Sequence, residues 1–97
     1  MTQKRVDANQ KAIVAALRKY GCSVHLTHMV GDGFPDIACG IDNMNIFLEC
    51  KDGDKPPSKQ KLTPKQTKWH GSWLGQVDTV KSPVEAIRAV KRHCFEI

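Results

Sequence analysis

The chain is predicted to form a single α/β domain spanning residues 1–97, with the element order αβββαβα. Three observations carry that expectation. A 97-residue chain with 40% apolar and 26% charged residues suits one hydrophobic core and no more. Apolar residues recur at helical spacing toward both ends, while the middle alternates apolar and polar residues between turn-forming clusters.

Asp7-Ala8-Asn9-Gln10 opens a helix running to Tyr20, because Ile13, Val14, Leu17 and Tyr20 share one face and Gly21 follows as a stop. Cys22 to Met29 alternates around Val24 and Leu26 and reads as a strand, broken by Gly31-Asp32-Gly33. Pro35 to Gly40 and Asn45 to Lys51 follow as two strands of a hairpin. Asp42-Asn43 forms its turn, since both residues tolerate positive φ. That turn fixes a register in which Asp36 faces Glu49, Ile37 faces Leu48 and Cys39 faces Ile46. Strand periodicity then puts Phe47, Glu49 and Lys51 on one face, and Ile37, Cys39, Ile46, Leu48 and Cys50 on the other, which is expected to be the core. Because Phe47 shares the face of the acids, part of that face must be covered.

Residues 52–61, with Pro56-Pro57-Ser58, are expected as the longest loop. Thr63-Pro64-Lys65-Gln66 matches a helix start as N-cap, first-turn proline and capping-box glutamine. Gln66, Trp69 and Trp73 fall on one stripe of this helix, which Gly75 is expected to stop. Gln76 to Val80 is a short strand. Ser82-Pro83-Val84-Glu85 repeats the start signal for a last helix, with Val84, Ile87 and Val90 pointing inward.

Fifteen Lys and Arg against ten Asp and Glu give a net charge of +5, a balance that favours a polyanionic partner. Residues 51–68 concentrate it, with Lys51, Lys55, Lys59, Lys61, Lys65 and Lys68 against Asp52 and Asp54. On composition alone such a run reads first as a solvated surface. No apolar run long enough for a membrane span or a signal peptide is present, the start Met1 to Arg5 included, so no membrane partner is expected. Cys22, Cys39, Cys50 and Cys94 lack paired zinc spacing and are expected as reduced thiols, the first three in apolar segments where a thiol acts as a small hydrophobe. His25 and His28, three apart on a strand, point to opposite faces and do not suggest a metal pair.

Two acids facing each other across a hairpin destabilise a sheet unless a cation lies between them, and the candidates are Lys51 or a bound metal. Asp36 and Glu49 offer hard oxygen ligands suited to Mg²⁺ or Mn²⁺, with water, a backbone carbonyl and substrate phosphate completing the shell. A phosphodiester is the natural substrate of such a site, and a lysine beside it serves to orient the attacking water or to offset transition-state charge. The bland alternative is a hairpin whose acids simply face solvent.

Gly33-Phe34-Pro35-Asp36, Leu48-Glu49-Cys50-Lys51 and Leu62-Thr63-Pro64-Lys65-Gln66 with Trp69 behind it resemble the VRR-NUC family of the PD-(D/E)xK nuclease superfamily, in its minimal stand-alone phage and bacterial form. The resemblance covers nearly the whole chain. It implies a restriction-endonuclease-like core with a central mixed sheet flanked by helices, and a metal-dependent deoxyribonuclease. Asp36 and Glu49 would hold Mg²⁺ or Mn²⁺ with the Cys50 carbonyl, and Lys51 would assist the nucleophilic water. Gln66 matches the family's active-site glutamine, although its reading as the cap partner of Thr63 is equally open. Many relatives carry a glutamate on the first helix that reaches the metal. Here Ala8, Asn9 and Gln10 stand instead, and Gln10, on the stripe of Ile13, Val14 and Leu17, is the expected substitute.

Minimal relatives look like Holliday-junction resolvases, which implies a homodimer acting on branched DNA, with Lys55, Lys59, Lys61, Lys65 and Lys68 contacting phosphates. The rivals are a basic DNA-binding module without catalysis, and a nuclease of the same chemistry acting on flaps, nicks or ordinary duplex. Reduced thiols and the family likeness point to the cytoplasm of a bacterium or a phage-infected host.

Overall fold

The computed structural model describes residues 7–95, and the expectation about the start Met1 to Arg5 lies outside them. The elements are α1 (Ala8–Tyr20), β1 (Ser23–Leu26), β2 (Ile37–Ile41), β3 (Met44–Cys50), α2 (Pro57–Gln60), α3 (Pro64–Ser72), β4 (Val77–Val80) and α4 (Pro83–Cys94). They form a mixed α/β architecture around one four-stranded sheet in the order β1-β2-β3-β4. The first two pairings are antiparallel and β3 with β4 is parallel.

The β2–β3 hairpin has the expected register, with Ile37 opposite Leu48, Cys39 opposite Ile46 and Ile41 opposite Met44. Asp42 (φ 50°) and Asn43 (φ 63°) both take positive φ, the mirror-image turn that matches strand twist. The sheet face carrying Ile37, Cys39, Ile46, Leu48 and Val80 packs under α1 and α4, whose Ile13, Val14, Leu17, Ala86, Ala89 and Val90 complete the core. The opposite face is covered by α3. Trp69 and Trp73 stack on each other, and both meet Phe47 edge to face, with Phe34 closing the cluster against Phe47 and Trp69.

Several boundaries differ from the sequence expectation for identifiable reasons. β1 is shorter than Cys22 to Met29 because the chain turns at Thr27, whose carbonyl accepts from the Val30 N–H. Pro57–Gln60 forms one helical turn inside the expected loop, with proline at its start. α3 ends at Ser72 rather than running to Gly75; Trp73 turns extended and lays its indole over Gly75, where a Cβ would lie 2.9 Å from Nε1.

The last helix is rotated from the expected one. Val84 is exposed and Ile87 only half-buried, while Ala86 and Ala89 join Val90 inside, small side chains that let α4 approach closely. Ser82 caps the Glu85 N–H as expected, but the Glu85 carboxylate accepts from the Lys81 N–H, so the box is not reciprocal. Asp78 on β4 ties down α4 through Arg92 and His93. No helix among the described residues is long and apolar enough to cross a membrane, and all four cysteines are free thiols.

Candidate metal and phosphate site

Where β2 begins and β3 ends, the chain leaves a polar cleft of about 430 Å³. Asp36, Glu49, Lys51, Gln66 and Gln10 all line it, together with the backbone of Cys50. The bonds that Asp36 makes to β3 set it beside Glu49. Asp36, just before β2, donates its N–H to the Leu48 carbonyl, and its carboxylate accepts from the Cys50 N–H at 2.8 Å. Since backbone groups two residues apart on a strand point the same way, the Cys50 carbonyl is directed toward the side of Asp36, like that of Leu48.

Glu49 is only 2% exposed. Burial first, and then the neighbouring Asp36 carboxyl, push its pKa from 4.5 up to about 9, an effect that Lys51 only partly offsets. The sequence left two candidates for the cation between the acids, and the geometry separates them. The Lys51 ammonium donates to Gln66 Oε1 at 2.8 Å, and it makes no ion pair with either acid among the described residues. Among the described residues, no lysine or arginine forms an ion pair with either acid.

Gln66 fills both roles left open by the sequence. Its Oε1 accepts from the Thr63 N–H while its own N–H donates to Thr63 Oγ1, a complete capping box. The same Oε1 accepts from Lys51, and Nε2 donates to Glu49 Oε2 at 3.1 Å. Capping the helix and bridging lysine to glutamate are one arrangement. Its backbone is seated by Gly33 (φ +84°), where a Cβ would lie 2.3 Å from the Lys65 carbonyl oxygen and 2.9 Å from the Gln66 nitrogen.

On α1, Asn9 and Gln10 diverge. Asn9 donates to the Lys51 carbonyl at 2.8 Å and the Lys81 carbonyl at 3.2 Å, clamping the ends of β3 and β4. Gln10 is buried and lines the cleft, with Nε2 lacking a partner. Among the described residues, three more buried polar atoms are unpartnered: His28 Nδ1, Glu49 Oε1 and His70 Nε2. Such groups are rare in folded proteins, and Gln10, His28 and Glu49 all line the cleft.

Of the lysines, Lys55, Lys59 and Lys65 line the cleft. Lys68 borders an adjoining groove with Lys65, Trp69 and Ser72, and Lys61 is exposed beside α3 and lines neither. Sequence reasoning missed Asp7 and His28, which also line the cleft, and His70, which approaches Glu49 to 3.9 Å. For His70 the signal was available: it stands four residues after Gln66, one turn along the same helix face.

No group of three or more His, Cys, Asp or Glu arranged to hold a metal occurs among the described residues. The oxygen atoms the cleft offers near Glu49 are the Asp36 and Glu49 carboxyls and the Cys50 carbonyl, so a hard cation held there would take the rest of its shell from water and substrate oxygen. All-oxygen donors of this kind suit hard cations such as Mg²⁺ or Mn²⁺, whereas structural zinc sites are built from cysteine and histidine. Compared with known proteins, the chain matches no family model, no curated protein and no solved structure.

Proposed function

We propose that the chain is a metal-dependent deoxyribonuclease of the PD-(D/E)xK type, with a VRR-NUC-like core, that hydrolyses phosphodiesters in branched DNA as a homodimer. The observation that carries this reading is the buried Glu49 carboxyl beside the half-buried Asp36, with the Lys51 ammonium engaged by Gln66. A divalent cation taken up by Asp36, Glu49 and the Cys50 carbonyl would supply Lewis acidity toward a phosphoryl oxygen.

The chain's own groups do the rest. Gln66 fixes Glu49 and Lys51 relative to each other, so that the ammonium lies beside the acids without neutralising them. From there Lys51 orients the attacking water or offsets the negative charge that grows on the phosphoryl oxygens. Gln10 presents a neutral amide to the cleft, and Lys55, Lys59 and Lys65 on its walls supply positive charge for the phosphates flanking the scissile one.

The test is incubation of supercoiled plasmid and of a synthetic four-way junction with Mg²⁺ or Mn²⁺. Cleavage is expected only with metal, faster on the junction, and lost in Glu49→Ala and Lys51→Ala. Activity that persists in both variants would refute the site. One observation favours the rival binding module: no group of three or more His, Cys, Asp or Glu arranged to hold a metal occurs among the described residues, and Gln10 stands where an acid would add a ligand. Junction binding without metal-dependent cleavage would select that reading.

A further inference from the structure

The two oxygens of Glu49 are treated differently by the helix above them. Oε2 accepts from Gln66 Nε2 at 3.1 Å, whereas Oε1 is buried with no hydrogen-bond partner. His70 Nε2 is buried and unpartnered as well, and it faces Oε1 at 3.9 Å. Two buried polar atoms, each lacking a partner and each the other's neighbour, carry a desolvation cost that one hydrogen bond between them would remove.

Gln66 and His70 are four apart on α3, so a single helix face presents one donor to each oxygen of the same carboxyl group. The imidazole is fixed in place, with its ring edge to face with Trp69, which itself lies within the Phe34–Phe47–Trp73 cluster. Only a small closure separates 3.9 Å from the hydrogen-bond range of about 2.7–2.9 Å for a charged acceptor.

We propose that His70 is a positioning residue for Glu49, donating from Nε2 to Oε1 so that, with Gln66, α3 grips both carboxylate oxygens and aims their remaining lone pairs at the cation. This rests on the metal reading of the cleft. Each carboxylate oxygen has two lone pairs, so a donor from α3 and a metal can share one oxygen. Burial lowers the His70 pKa, which keeps the ring neutral and leaves one N–H to be assigned to either nitrogen. Outer partners of this kind typically change metal affinity by about 10–100-fold when removed.

The test is Mn²⁺ affinity by calorimetry for wild type, His70→Phe and His70→Gln, with melting temperature measured beside it. Phenylalanine keeps the ring's bulk without the donor, and glutamine keeps a donor near the position of Nε2. His70→Phe is expected to bind Mn²⁺ about 10–100-fold more weakly, with most of the affinity restored by His70→Gln. Wild-type affinity in His70→Phe, or equal weakness in both variants, would overturn the proposal. If phenylalanine prevents folding, ¹⁵N spectra of the wild-type histidines with Mg²⁺ decide. A protonated, exchange-protected Nε2 on His70 supports the role, and a bare Nε2 overturns it. A wild type that takes up no Mn²⁺ would remove the metal reading itself, whereas uptake that ignores His70→Phe removes only this role for His70.

Discussion

Burying a carboxyl beside an aspartate sets Glu49 against its own ionisation, and this has a measurable consequence in the metal-free protein. Its pKa is raised from 4.5 to about 9, so the folded chain holds a proton that the unfolded chain has lost throughout that interval. Stability from this group is therefore full below 4.5 and is lost as pH rises through about 9. Glu49→Gln keeps the shape and deletes the titration. Thermal melts between pH 5 and pH 9 without metal should show wild type losing stability with rising pH, and Glu49→Gln following a flatter curve. Parallel curves would mean that Glu49 is not the titrating group. Residue-scale chemistry of this kind was only half legible in the sequence. The register from Ile37 opposite Leu48 to Ile41 opposite Met44 followed from the Asp42-Asn43 turn, but Asp36 lies just before that ladder, and the diversion of Lys51 to Gln66 depended on how α3 folds back over the sheet.

At the scale of elements, the site depends on where α3 begins. Thr63→Ala removes one cap bond and should cost about 1 kcal/mol of stability while sparing metal uptake. Gln66→Ala removes the other half of the box and should cost a similar amount. It also frees Lys51 and Glu49, so cleavage should fall far more than in Thr63→Ala. Equal losses of cleavage in the two variants would reduce Gln66 to a cap. Gly33 is the second support. Gly33→Ala meets the Lys65 carbonyl and requires positive φ of a residue with a Cβ, a strain of about 1–3 kcal/mol. A lowered melting temperature together with weakened Mn²⁺ binding is the expected outcome, and unchanged binding would mean that the loop does not set the position of Gln66. The start of α3 was readable because Thr, Pro and Gln act locally. The rotation of α4 was not: Val84, Ile87 and Val90 fit a helical stripe as well as Ala86, Ala89 and Val90 do. Close packing against α1 chose the alanines.

For the whole molecule, the charge of +5 gains meaning from its placement. Four lysines of the basic run, Lys51, Lys55, Lys59 and Lys65, line the cleft and Lys61 does not, a distinction invisible in a list of spacings because it depends on the turn at Pro57–Gln60. Replacing Lys55, Lys59 and Lys65 with glutamine should flatten the salt dependence of DNA binding, by about one unit of logarithmic slope for each phosphate that a lysine no longer neutralises. Lys61→Gln should leave the slope nearly unchanged, and equal effects would point to diffuse attraction by net charge.

The most direct measurement is calorimetric titration of Mn²⁺ into the protein at neutral pH, in buffers of different ionisation enthalpy. Saturable uptake is expected, lost in Asp36→Asn and in Glu49→Gln. It should release about one proton per ion, because Glu49 must ionise to bind, and the release should fade as pH approaches 9. Absence of uptake even with junction DNA present, or uptake indifferent to both substitutions, would contradict a cation between Asp36 and Glu49.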